Sequence, residues 1–277
     1  MAGKKAAGPK APQIKLAEKV AKKLAAIEGV VAVTLGGSWA QGKAPKSSDI
    51  DLGVYYRAQA KPHLEAIRVL ARELDAQARP TDFGAWGPWI NGGAWLSVGD
   101  QRIDWLYREL ERVVATITEC RAGRVTVDYQ PGHPHGFHNH IYMAEIARGV
   151  VLADSTGMLK AMKALAAEYP AGLKRGIVEK HLWESEFSLQ TTESAARTGD
   201  VFHATGSLFR SAAALVQVLF ALNEEWFTNE KGALDAAGEM DIAPKKFAAR
   251  VEAILKKPDA SGVKALFALV EEVRKLA

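Results

Sequence analysis

Apolar residues recur at helical spacing over residues 14–28. Ile14, Leu16, Ala17, Val20, Leu24 and Ile27 line one face and lysines the other. Gly29 then ends the predicted helix. Residues 30–35, Val-Val-Ala-Val-Thr-Leu, are β-branched and apolar, which predicts a buried strand. Residues 50–56, Ile-Asp-Leu-Gly-Val-Tyr-Tyr, have strand composition. A second helix is predicted over 62–78, with Leu64, Ile67, Leu70, Ala71 and Leu74 inward and Pro62 in its first turn. Residues 81–85 read as a short strand and 86–89 as a loop. Residues 93–98 and 102–107 predict a hairpin turning at Gly99-Asp100, followed by a helix over 109–119. Mixed strands and helices of this kind predict an α+β fold with helices covering one face of a mixed sheet.

Beyond residue 120 the period becomes 3.6. Helices are predicted at 138–149, 156–168, 171–196, 201–223, 244–256 and 261–276, punctuated by Pro170, Gly199, Pro244 and Pro258. Short connections between them predict an α-helical bundle. The pattern therefore divides the chain into a tail, 1–13, a mixed-sheet domain, 14–120, and a helical domain, 121–277. The cleft between two such domains is where a ligand is expected.

Charge changes this picture only at one end. The chain carries +4 overall, but residues 1–23 hold seven lysines and one glutamate, so the remainder sums to −2. Basic character belongs to an Ala/Gly/Lys/Pro-rich tail, which is expected to be disordered, and to one helix face. That disfavours a nucleic-acid partner. The single cysteine, Cys120, excludes an internal disulfide framework and fits a reducing, cytoplasmic setting. The longest apolar run, residues 212–222, is too short to span a bilayer, and the N-terminus has no apolar signal region. No membrane role is expected.

The chemistry concentrates where the first strand ends. Gly36 and Gly37 allow a sharp turn, after which Ser38 and the following amides can face a polyphosphate. Asp49 and Asp51 are two residues apart on a predicted strand, so both project to one side. Carboxylates so placed suit hard cations such as Mg²⁺ together with substrate phosphates. Asp104 interrupts the apolar run Ile103-Asp-Trp105, where an isolated charge needs compensation from a metal or a reacting hydroxyl. The stretch from Gly37 to Lys43 also fits G-x-x-x-x-G-K. Ala44 lacks the hydroxyl a P-loop needs, and a strand rather than a helix is predicted to follow, so the P-loop is rejected.

Taken in order and spacing, Gly37 and Ser38, Asp49 and Asp51, and Asp104 resemble the motif set of the nucleotidyltransferase superfamily, which includes polymerase β-like enzymes and antibiotic nucleotidyltransferases. The resemblance covers roughly residues 14–120. The remainder looks like the helical domain of single-chain bacterial members, including the group with a domain of unknown function after the core. The family implies two Mg²⁺ ions held by Asp49, Asp51 and Asp104, and ATP as nucleotide donor with its phosphates at Gly37 and Ser38. It implies a small-molecule acceptor that receives AMP at a hydroxyl. Protein adenylylation or nucleotide-dependent regulation without turnover are alternatives, and nucleic-acid tailing ranks behind them. The segment Ala221–Lys231 is similar to a helical-domain stretch whose lysine reaches the triphosphate, which implicates Lys231.

Other residues offer less. His133, His135, His138 and His140 lie among Pro and Gly, suiting an interdomain connector or a substrate contact. Without cysteines or a recognisable spacing they do not read as zinc ligands. Glu145 shares a predicted helix face with Tyr142 and is read as a surface residue that could also hold a cationic acceptor. Trp86, Trp89 and Trp95 read as core or cleft wall, with base stacking open to one of them.

Overall fold

The computed structural model describes residues 11–42, 44–45 and 47–277. Most of the expected tail lies outside them, as does Lys43. Pro12 and Gln13, assigned to that tail, instead open the first helix, since a proline at the first helical position has no amide to leave unsatisfied.

Helix α1 (Pro12–Ala25) leads into β1 (Val30–Leu35), the single turn α2 (Gly37–Ala40) and β2 (Ile50–Tyr56). Helix α3 (Leu64–Leu74) follows, then the hairpin β3 (Gly93–Val98) and β4 (Gln101–Glu109), then α4 (Leu110–Arg121). Residues 81–85 form no strand: Thr81 meets Gly93 alone, its amide donating to the Gly93 carbonyl and its hydroxyl accepting from the Gly93 amide, both at 2.9 Å, and residues 83–85 then turn away. A small ladder, β5 (Val127–Asp128) with β6 (Phe137–His138), precedes α5 (Ile141–Arg148). Next comes β7 (Val150–Asp154), then α6 (Met158–Leu165). The chain ends in α7 (Ala171–Thr198), α8 (Val201–Leu222), α9 (Ala233–Gly238), α10 (Phe247–Leu255) and α11 (Ala260–Arg274).

Two compact units result. The first comprises residues up to 115 together with 145–167, and the second comprises 116–144 and 168–277. The single cut expected at residue 120 is thus replaced by an exchange of segments. Its cause is β7, which pairs antiparallel with β1 and gives the sheet the order β3-β4-β2-β1-β7. With Val150 exposed and Val151 and Leu152 half-buried, β7 has neither helical nor alternating periodicity.

The sheet is mixed: β2 and β4 run parallel and the other pairs antiparallel. Alternation sorts its residues cleanly. Ile50, Leu52, Val54 and Tyr56 of β2 join Ile103, Trp105 and Tyr107 of β4 in a core with Val20 and Leu24 of α1 and Ile67 of α3. The residues between them, Asp51, Asp104, Leu106 and Arg108, therefore occupy the opposite face.

In the second unit α8 packs along α7. Gly199 adopts the left-handed conformation that ends α7, and the Asp200 carboxylate caps α8 by accepting from the His203 amide at 3.1 Å. By length and composition α8 could cross a membrane, yet 67% of its most apolar stretch is buried. It is the core helix of this unit.

Candidate active site

Asp51 is the residue around which the site is built. It sits second in β2, and its backbone carbonyl accepts from the Gly36 amide at 2.8 Å, so the glycine turn folds directly over it. Gly37 has φ +57°, and a Cβ there would lie 1.9 Å from Asp51 Oδ2. Only glycine leaves that carboxylate its position beside the turn. Ser38 follows in the single turn of α2, half-buried.

Asp104 is the register partner of Asp51 on the adjacent parallel strand. Paired residues of neighbouring strands point to the same side, about 5 Å apart. Asp49, two residues before Asp51, is steadied through Ser48. The Ser48 carbonyl accepts from Trp39 Nε1 at 3.1 Å and from Gln101 Nε2 at 2.8 Å. Burial, then repulsion from Asp49, pushes the Asp104 carboxyl up to about 6, while Arg102 opposes the rise.

Sequence reasoning missed the basic partners of this face. Arg102 Nη2 lies 3.1 Å from Asp49 Oδ2. Its signal was present: Arg102 and Asp104 are two apart on one strand and so share a face. Farther along β4, Arg108 is buried and donates to both oxygens of Glu145 at 2.8 and 2.7 Å. Glu145 was read as a surface residue or an acceptor contact. The guanidinium takes that position, in the bidentate geometry carboxylates prefer. Trp95, paired with Asp104 from β3, is 66% exposed and stacks on Trp86 with centroids 4.6 Å apart. Of the three tryptophans it is the one that flanks the acids. Lys231 belongs to the second unit, exposed in the turn before α9, where its amide donates to Asn229 Oδ1 at 2.8 Å.

Whether Asp49, Asp51 and Asp104 suit Mg²⁺ follows from their chemistry and charge. All three supply carboxylate oxygens, the donor set a hard cation takes. The like-charge repulsion that lifts Asp104 is what a bound cation relieves. The group fits on both counts. As they stand the side chains share a face without converging: among the described residues no three His, Cys, Asp or Glu side chains are arranged to hold a metal ion.

Residues 18–84 match the family model "Polymerase beta, Nucleotidyltransferase". Residues 18–84 thus carry the signature of the nucleotidyltransferase superfamily. The matched stretch includes Gly37, Ser38, Asp49 and Asp51 and stops before Asp104, which joins them through strand register. Residues 138–231 match a second model, "Domain of unknown function (DUF4037)". Among solved structures, the nucleotidyltransferase-like protein from Exiguobacterium sibiricum 255-15 is similar at 7% identity, over 95% of this chain and 74% of that one, with a TM-score of 0.43. No curated protein matches the sequence.

Proposed function

We propose that this protein is a nucleotidyltransferase that moves a nucleoside monophosphate, AMP from ATP, to a hydroxyl of a small-molecule acceptor in a metal-dependent reaction. The observation that carries the reading is the pairing of Asp51 with Asp104 on parallel strands beneath the Gly37 turn.

The chemistry assigned to each residue follows. Gly37, lacking a side chain, leaves room for phosphate oxygens against the turn, and the Ser38 hydroxyl would donate to them. Asp49, Asp51 and Asp104 would hold two Mg²⁺ ions. When bound, these supply charge neutralisation at the departing pyrophosphate and polarisation of the acceptor hydroxyl. The acceptor oxygen forms its bond to the α-phosphorus as the bond to the pyrophosphate oxygen breaks. Asp104 would either help hold the ion beside the acceptor or accept the hydroxyl proton. Arg102 would hold Asp49 in orientation until substrate arrives. Trp95 offers an exposed ring beside the acids on which a base or an aromatic acceptor can stack. A small acceptor is favoured over a polyanion because residues 24–277 carry net negative charge.

Pyrophosphate release tests the reading. Wild-type protein with Mg²⁺, ATP and a metabolite mixture should release pyrophosphate, and Asp104→Asn should cut the rate by about 100-fold or more through loss of that carboxylate. Retention of ATP binding without any release from the wild type would point to a nucleotide-binding regulator instead.

A further inference from the structure

The second unit holds a cluster that the nucleotidyl-transfer reading does not use. His135, His138 and His140, from the segment read as a connector, are buried, and α7 adds buried His181 and Glu184. The β5–β6 ladder fixes the segment through the pairing of Val127 with His138. Asn139 reinforces it, donating to the Arg124 carbonyl at 2.9 Å and accepting from the Thr126 amide at 3.1 Å.

His138 is the hub. Its ring centroid lies 5.0 Å from that of His135 and 5.1 Å from that of His181. Its Nε2 is 3.2 Å from His135 Nδ1. Two nitrogens bound to one tetrahedral ion at 2.0–2.1 Å lie about 3.3 Å apart, and their rings about 5 Å apart. Glu184 stands behind two of these rings, 3.6 Å from His135 Nε2 and 3.2 Å from His181 Nδ1. Arg210 pairs with the same carboxylate at 2.6 Å. Such a carboxylate can take the far nitrogen of each imidazole and leave the near one for a metal.

The cluster is also unsatisfied. His181 Nε2, His138 Nδ1 and His140 Nε2 are buried with no hydrogen-bond partner. Buried polar atoms of this kind call for a water or an ion. Burial and the neighbouring imidazoles hold His138 well below its ordinary range, and burial lowers His140 to about 3. Neutral imidazole is the form that ligates.

We propose that His135, His138 and His181 form a binding site for a divalent transition metal such as Zn²⁺, with Glu184 orienting two of the ligands. Among the described residues no three side chains converge as they stand, so the site closes by a shift of the His181 side chain that brings Nε2 toward the His135–His138 pair while Nδ1 keeps Glu184. His135 also lines a cavity of about 90 Å³ with Phe209, Gln217, Phe227 and Glu230, which gives an ion access and leaves a fourth position for water or a small ligand. The carboxylates of the sheet are hard oxygen donors, whereas this site is nitrogen-rich, so the two select different ions.

The test uses tag-free, full-length protein stripped of metal and titrated with Co²⁺ and Zn²⁺. One equivalent of Co²⁺ should bind with the visible absorption of a tetrahedral site, and Zn²⁺ should displace it. His138→Gln should weaken binding by about 100-fold or more, and Glu184→Gln by about 10–100-fold. His203→Gln, at an exposed position, should bind as wild type, and the tetrahedral Co²⁺ absorption should persist in Asp49→Asn/Asp51→Asn, which removes oxygen donors only. X-ray absorption on wild-type protein with Zn²⁺ needs no variant to fold, and should give a first shell dominated by imidazole. An oxygen-only shell, no stoichiometric binding, or undiminished binding in folded His138→Gln would each overturn the site.

Discussion

At the scale of single residues, Asp104 makes the sharpest statement. Its carboxyl titrates at about 6 in the folded chain against 3.8 ordinarily, so the native state holds the proton more tightly than the unfolded one. The stability this contributes is complete below 3.8 and is lost as pH rises through about 6. Asp104→Asn escapes that loss. In thermal melts the variant should exceed wild type at about pH 7.5, and the advantage should vanish near pH 4. Added Mg²⁺ should raise the wild-type melting temperature at the higher pH more than the variant's. An unchanged difference between the two across pH would show that Asp104 is not charged against its surroundings. Gly37 gives a second residue-level outcome. Gly37→Ala places a methyl 1.9 Å from Asp51 Oδ2 and forces a strained φ, so the carboxylate must move. Transfer should fall at least about 100-fold with only a modest drop in melting temperature. Full activity in Gly37→Ala would dissociate the turn from Asp51.

At the scale of elements, legibility followed burial. Strands β1 and β2 coincide with the apolar runs at 30–35 and 50–56, because each packs one full face into the core. The hairpin turn at Gly99-Asp100 was equally plain. The face shared by Asp51 and Asp104 was not, since pairing between strands about 50 residues apart leaves no local trace. The same reason hid Arg108–Glu145 and the meeting of His138 with His181. Strand β7 escaped because it is half-exposed and short. Its placement depends on Lys163 of α6, whose Nζ donates to the carbonyls of Ile146, Ala147 and Gly149 at 3.0, 3.0 and 2.6 Å. The carbonyls of Ile146 and Ala147 lie in the last turn of α5, where helix carbonyls have no partner within the helix, and Gly149 follows it. Lys163→Met should therefore destabilise the protein by about 1–3 kcal/mol in urea unfolding. A neutral effect would mean that water serves those carbonyls equally well.

At the scale of the whole molecule, two units carry two chemistries on one chain. The first carries the carboxylates of the proposed phosphate chemistry, and the second buries imidazoles. The second imposes a pH dependence of opposite sign to that of Asp104. His138 and His140 titrate below their ordinary 6.5 when folded, so the unfolded chain binds more protons in that range. Their contribution to stability is present above 6.5 and is lost as pH falls toward about 3. The urea midpoint should drop steadily over that window, and His140→Asn should flatten the slope. The most direct test of the central claim is transfer itself. Wild-type protein is incubated with Mg²⁺, ATP and a metabolite pool, and the products are searched by mass spectrometry for adducts heavier by one nucleoside monophosphate. Adducts should form with wild type and be absent with Asp49→Asn/Asp51→Asn. Equal adduct formation by the double variant, or none by a wild type offered each of the nucleoside triphosphates, would contradict the account.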